Sequence, residues 1–326
     1  MTVKPAIAAV WAPGPLRTQR LLGLLACIAI AGLLFRLTWK DSVIDNIART
    51  STSDLQIAAR QQPRQAETHA ALAERYLWDE RNEDALREAR LATQLASNSS
   101  RAFYVLGKAY QRGGLAGPAI QALERAVELD PGDAPARFLL GHGYYWHDQP
   151  VPAVKQFEQY VEQQPADDIG FRFLGLANLR VGNLTAAEAA LRHAATLGPE
   201  SSGNHQALGN FYLNRAGDRQ DMERAASELL KAVELNPSAD TNRVQAAVAL
   251  ERLGRLAEGA RQFEVVYAKS PTDEKVCYSL LQIYTRLQDT PRIALYGRLY
   301  KRIVRAREAK SDITASVPGT PSYPTR

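Results

Sequence analysis

Apolar residues recur at three-to-four spacing along most of the chain, and the phase of that recurrence returns every 34 residues. With the first residue of each unit as position 1, positions 7 and 8 read Leu72-Ala73, Leu106-Gly107, Leu140-Gly141, Leu174-Gly175, Leu208-Gly209 and Ala246-Ala247. Position 11 reads Tyr76, Tyr110, Tyr144, Asn178, Tyr212 and Leu250. Position 20 reads Ala85, Ala119, Ala153, Ala187, Ala225 and Gly259, the fifth after a four-residue insertion near residues 217–222. Position 24 reads Ala89, Leu123, Phe157, Leu191, Leu229 and Phe263, and position 32 reads Ser97, Pro131, Pro165, Pro199, Pro237 and Pro271. The spacing predicts two amphipathic helices per unit. Small residues at positions 8 and 20 let the two backbones approach, and the proline ends the second helix. One helix pair cannot bury its own apolar face, whereas stacked pairs can.

In period, residue types and order this pattern resembles the tetratricopeptide repeat (TPR). The resemblance implies an all-α, right-handed superhelical solenoid of helix-turn-helix units. The array is expected over residues 66–307, divided as 66–99, 100–133, 134–167, 168–201, 202–239, 240–273 and a degenerate seventh unit, 274–307. The seventh keeps Leu280, Leu281 and Tyr284 but loses the alanine and proline marks. Its second helix, from about Thr290, places Ile293, Tyr296, Leu299, Tyr300 and Ile303 on one stripe, ringed by Arg292, Arg298, Lys301, Arg302, Arg305 and Arg307. That helix reads as a solvated cap or as a basic dock for a partner or anionic lipid. Upstream, Leu55, Ala58 and Pro63 fall where positions 24, 27 and 32 of a preceding unit would lie, so residues 40–65 are expected to hold a connecting helix packed on the first repeat. Residues 308–326, with three prolines and no apolar periodicity, are expected to be a disordered tail.

A different pattern marks the beginning. After a basic tail, residues 1–20, Leu21 to Phe35 is an uninterrupted apolar run between Arg20 and Arg36. Extended through Trp39, with the arginines snorkelling, residues 21–39 approach the roughly 20 residues that cross ~30 Å of hydrocarbon. A single N-terminal transmembrane anchor is the reading adopted. A cleaved secretory signal and a lipidated Cys27, in Leu24-Leu25-Ala26-Cys27, are the alternatives. Lys4, Arg17 and Arg20 on one flank balance Arg36, Lys40 and Arg49 on the other, so the charge rule does not orient the helix. A signal anchor of this kind most often leaves its N-terminus in the cytoplasm, which would put the array across the plasma (inner) membrane, in the periplasm.

Net charge is +5, yet residues 66–307 contain 30 Lys/Arg and 30 Asp/Glu, so the array has no overall basic field for nucleic acid. Two cysteines, Cys27 and Cys277, exclude a disulfide framework. The five histidines His69, His142, His147, His193 and His205 show no metal-ligand spacing. Gly113-Gly114-Leu115-Ala116-Gly117 lacks the lysine of a phosphate loop and lies where a turn is needed. Neither cofactor, metal nor enzymatic activity is expected.

The TPR resemblance implies that positions 2, 5, 9, 12 and 13 line a concave groove. From these positions the candidate groove residues are Trp78, Tyr104, Lys108, Arg112, His142, Tyr145, Trp146, Arg172, Arg180, Asn210, Asn214 and Arg252. Tyr145 and Trp146 are the ones expected to be exposed, while Phe138 and Tyr104 are equally compatible with burial between units. Aromatics beside cations suit an extended peptide with acidic and apolar side chains. No unit has the Lys and Asn at positions 5 and 9 of a chaperone-tail clamp. The resemblance thus suggests a membrane-anchored scaffold that holds partner proteins during assembly of a bacterial envelope complex. An accessory subunit of polysaccharide export, with Trp78, Tyr145 and Trp146 stacked on sugars, and a cytoplasmic adaptor of a membrane enzyme are the alternatives.

Overall fold

The computed structural model describes residues 50–215 and 218–315, the last six as backbone only. Fifteen helices account for the regular structure among the described residues. They are α1 (Thr52–Gln61), α2 (Ala66–Trp78), α3 (Asn82–Leu95), α4 (Ser100–Arg112), α5 (Ala116–Leu129), α6 (Ala134–Trp146), α7 (Pro150–Gln163), α8 (Asp168–Val181), α9 (Leu184–Leu197), α10 (Ser202–Asn214), α11 (Arg219–Leu235), α12 (Asp240–Arg252), α13 (Leu256–Lys269), α14 (Glu274–Arg286) and α15 (Thr290–Ala315). From α2 onward they pair into seven hairpins in the register read from the sequence. Two compact units contain them, one ending at Leu129 with α1–α5 and one beginning at Asp130 with α6–α15.

Local chemistry starts and stops the helices. Ser99, Asp133, Asp167 and Asp273 stand before first helices and accept backbone N–H bonds from the first turn, satisfying donors that have no intrahelical partner. Inside the hairpins, position 15 takes a left-handed backbone. Glycine fills it in the second, fourth and sixth hairpins (Gly114, Gly182, Gly254), but Glu80, Asp148 and Gln288 hold it in the first, third and seventh, at φ 58°, 54° and 57°.

The core lies between paired helices. Phe157, Leu191, Leu229 and Phe263, all at position 24, are fully buried. Each needs the small residue at position 8 of its partner helix: a Cβ on Gly141 would stand 2.9 Å from Phe157 Cε1, and one on Gly175 2.6 Å from Leu191 Cγ. A second recurring device, at position 4, fastens four of the seven hairpins to the turn before them. His69 sets Nδ1 at 2.6 Å from Glu88 and Nε2 at 3.2 Å from the Pro63 carbonyl. His205 does the same with Glu228 at 2.6 Å and the Pro199 carbonyl at 2.9 Å. In the third and sixth hairpins an arginine takes the histidine's place, while Phe103, Phe171 and Cys277 fill position 4 of the remaining three. Arg137 donates to the Pro131 carbonyl at 2.6 Å and to Gln156 at 3.2 Å, and Arg243 donates to Pro237 at 3.3 Å and to Gln262 at 3.0 Å. One side chain therefore ties a preceding turn to the second helix of its own hairpin.

The ends depart from the repeat. Upstream, α1 buries Leu55 and Ala59 and bonds α2 and its C-terminal turn through Gln56 to Tyr76 (2.9 Å) and Thr52 to Asp79 (2.7 Å). Downstream, α15 is 26 residues long and does not stop at residue 307. Position 32 of this hairpin is Arg305 instead of proline, so nothing breaks the helix there. The expectation of a disordered tail is thereby corrected for residues 308–315, which are helical; residues 316–326 lie outside the described residues. So does the expected membrane segment, 21–39. Among the described residues no helix is long and apolar enough to cross a membrane.

Candidate partner-binding surface

In the first unit the candidate residues stand on α2 and α4. Trp78, at the end of α2, is 80% exposed. Arg101 bridges Glu67 (2.6 Å) and Glu74 (3.0 Å), and Lys108 stands 3.5 Å from Glu74. Lys108 also lies 5.2 Å from the centre of the Tyr104 ring, which is half-buried. The cations here are thus largely matched by carboxylates. Beside them a cavity of about 180 Å³ is lined by Leu77, Trp78, Glu80, Lys108 and Arg112, the last of these exposed.

In the second unit the apolar part of the surface is an aromatic block. Phe138 meets Phe157, Tyr160 and Phe173 at 5.0–5.8 Å between ring centres, which makes it a packing residue between helices. His142, one turn further along α6, lies half-buried with its ring centre 5.3 Å from that of Phe173. Burial lowers its pKa, because a charged imidazole would lose its hydration. Trp146 donates its Nε1–H to His142 Nε2 at 2.8 Å and leaves its indole 61% exposed.

Tyr145 does not meet the expectation of exposure: it is 9% exposed. The Arg180 guanidinium lies 4.3 Å over its ring, and the Trp146 and Phe173 rings close its edges at 5.2 and 6.0 Å. Arg180 also donates to the Tyr145 carbonyl at 2.7 Å and stands 3.8 Å from the Asp148 carboxylate. Arg252 repeats the arrangement one hairpin pair later, donating to the Leu213 carbonyl at 2.9 Å. Both arginines occupy position 13 and reach position 12 of the preceding hairpin, where a helix C-terminus presents unsatisfied carbonyls. Their role is therefore partly structural, which the sequence reading as ligand contacts had not assigned. The remaining candidates are Arg172, 5.7 Å over the Phe173 ring and 3.4 Å from Asn204 Oδ1, the half-buried Asn210 and the exposed Asn214. The Oδ1 of Asn210 is buried without a hydrogen-bond partner.

Two further features bear on the surface. One is the exposure of Ile169, a position-2 residue expected in the groove, which extends the apolar surface beside Arg172 on α8. The other is a cavity of about 560 Å³ at the far end, lined by Asp273, Glu274, Lys275, Tyr278, Tyr300 and Arg307, with Arg307 donating to both Glu274 oxygens at 2.8 Å. Taken over positions 2, 5, 9, 12 and 13 of the second unit, Arg172, Arg180, Arg252, Lys275 and Arg286 face a single acid, Glu251. Among the described residues no group of three or more His, Cys, Asp or Glu is placed to hold a metal ion.

Models of the tetratricopeptide repeat match residues 152–202 and 214–274, and in a second form residues 100–133. Those stretches carry tetratricopeptide repeats. No curated protein matches it. Among solved structures it is similar to YrrB, described as a TPR protein with an unusual peptide-binding site, at 19% identity, TM-score 0.52, covering 62% of this chain and 98% of that one. It is similar to Pseudomonas aeruginosa pilF at 19% identity and TM-score 0.52, covering 67% and 97%. For residues 41 to the end of MamA from Desulfovibrio magneticus RS-1 the values are 26%, 0.49, 54% and 97%. The first two likenesses support the all-α repeat fold.

Proposed function

We propose that this TPR protein is a membrane-anchored scaffold of a bacterial cell envelope and that the first helices of its repeats form a groove for an extended partner segment. The single observation that carries the groove reading is Trp146, a large indole held in the open by His142 rather than folded into the aromatic block beneath it. A fixed, exposed aromatic offers contact area at little entropic cost. Excess cations over the same positions favour a partner with Asp or Glu among apolar side chains. Trp78, with the exposed Arg112 beside it, offers a similar pairing of indole and cation in the first unit, where Lys108 is taken up by Glu74. That YrrB is described as peptide-binding agrees with this reading without extending to it.

Anchoring rests on the apolar run at residues 21–39, and the proposed place of the array is periplasmic, with the N-terminus in the cytoplasm. Labelling an exposed engineered cysteine at Ser238 with a membrane-impermeant reagent tests it: labelling in intact spheroplasts supports the orientation, and labelling only after lysis sinks it.

The groove is tested by selecting displayed peptides on the full chain. Enrichment of acidic and apolar residues, with binding lost in Trp146→Ala and kept in Lys155→Ala on α7, supports the reading. Selected peptides indifferent to Trp146 and Trp78 would remove it. A second reading, a glycan stacked on the exposed indoles, is favoured if polysaccharide binds and the peptides do not.

A further inference from the structure

The second helices of the first six hairpins, α3, α5, α7, α9, α11 and α13, each carry a net charge of 0 or −1. On α15 seven Lys/Arg stand against two Asp/Glu. Those cations are not scattered. Tyr296, with Ile293, Leu299, Tyr300 and Ile303, turns one side of α15 into the core. On that inner side Arg307 is taken up by Glu274, and at the flank Arg292 is bonded to Asp289 at 2.9 Å. Arg298, Lys301, Arg302 and Arg305 follow the i, i+3, i+4, i+7 spacing that puts four residues on one face, and that face is diametrically opposite the buried one. All four are exposed, and none has a carboxylate partner among the described residues. Leu295, 43% exposed, continues the same face toward the start of the helix.

We propose that this outward face of α15 docks on an anionic phospholipid surface. Four point charges spread over about 10 Å of the outward face of a helix present a convex rod. A lipid surface meets such a rod with mobile headgroups that gather under each cation, and Leu295 can enter the boundary between headgroup and acyl chain. An acidic protein would need fixed carboxylates at matching positions, and a nucleic-acid backbone would meet the cations but offers no apolar layer for Leu295. A second copy of this chain would bring the same cations together. The face is separate from the groove residues, so it stands or falls independently of the groove.

The test uses the full chain carried in phosphatidylcholine nanodiscs and mixed with sedimenting vesicles, either phosphatidylcholine alone or with one third phosphatidylglycerol. The chain is expected to pellet with the anionic vesicles only, and high salt is expected to release it. Replacing Arg298, Lys301, Arg302 and Arg305 together with Gln should lower the partition coefficient on the order of several hundredfold. Replacing four exposed cations elsewhere, Arg60, Arg64, Lys155 and Arg261, should not. Anionic-vesicle binding that survives the α15 substitutions overturns the proposal. So does failure of the unaltered chain to pellet while it binds immobilised polyglutamate, an outcome that would assign the face to an acidic protein. Retention of groove peptides by the α15 variant separates this result from the groove reading.

Discussion

The indole N–H of Trp146 points at Nε2 of His142, 2.8 Å away and one helical turn back on α6. The bond requires a lone pair on Nε2, so it exists only while the ring is neutral and its proton is on Nδ1. Burial favours the same state by depressing the imidazole pKa below its ordinary value. A base whose folded pKa is depressed binds fewer protons than it does unfolded as the medium acidifies. Its contribution to stability is complete above the unfolded value of about 6.5 and declines as pH falls through it. The unaltered protein should therefore lose stability between about pH 7 and pH 5 by an increment missing from His142→Gln, with a parallel change in Trp146 emission. Melting curves of the two proteins at both pH values decide it, and equal losses would mean that His142 does not supply the dependence.

The left-handed backbone of Asp148 predicts an unusual stabilisation. A residue with a Cβ at this φ costs roughly 1–2 kcal/mol relative to glycine, and glycine occupies the equivalent place in Gly114 and Gly182. Asp148→Gly should raise stability by about 1 kcal/mol, after allowing for the greater freedom of the unfolded chain. The 3.8 Å approach to Arg180 is too exposed to offset this. Urea unfolding that shows no gain would place the cost elsewhere.

Close approach at position 8 predicts the opposite sign. Gly141→Leu and Gly175→Leu push side chains into Phe157 and Leu191, which are fully buried and cannot retreat. Each should cost on the order of 1 to 3 kcal/mol, seen as a lower denaturation midpoint.

Arg252→Ala should destabilise the second unit by about 1 kcal/mol even without any ligand, because the Leu213 carbonyl loses its donor. A variant that keeps its full stability yet loses a partner would restore Arg252 to a purely ligand-facing role.

The fasteners at position 4 should be interchangeable as sets. His205→Arg alone leaves Glu228 in a pairing not found in the arginine hairpins, whereas His205→Arg with Glu228→Gln reproduces the Arg243–Gln262–Pro237 arrangement. The double variant is expected to melt near the unaltered protein, and His205→Ala about 1 kcal/mol below it in stability. A double variant as unstable as the alanine variant would show that the two sets are not equivalent.

Much of the fold was legible in the chain because each determinant is local. Gly141 and Phe157 belong to one hairpin, and Asp133 caps the helix that begins beside it. The burial of Tyr145 was not legible, since the residue that covers it, Arg180, lies in the next hairpin and its aim depends on how the two stack. For the same reason His69 and His205 read as isolated side chains until the turns of the preceding segments stood beside them. The end of α15 was not legible from the Ser/Thr-rich, proline-containing tail; it follows from Arg305, which stands where proline follows the second helices of the second to sixth hairpins.

The alternation at position 15 runs in step with another. Trp78 and Trp146 close the first helices of the first and third hairpins, and Arg112 and Arg180 close those of the second and fourth. Glu80 and Asp148 go with the tryptophans, Gly114 and Gly182 with the arginines. A swap of genetic material offset by one hairpin would set indole against indole and lose the arginine that shields the neighbouring helix end. An offset of two preserves each of these pairs, so a change in length of 68 residues is the one that this stretch is expected to absorb.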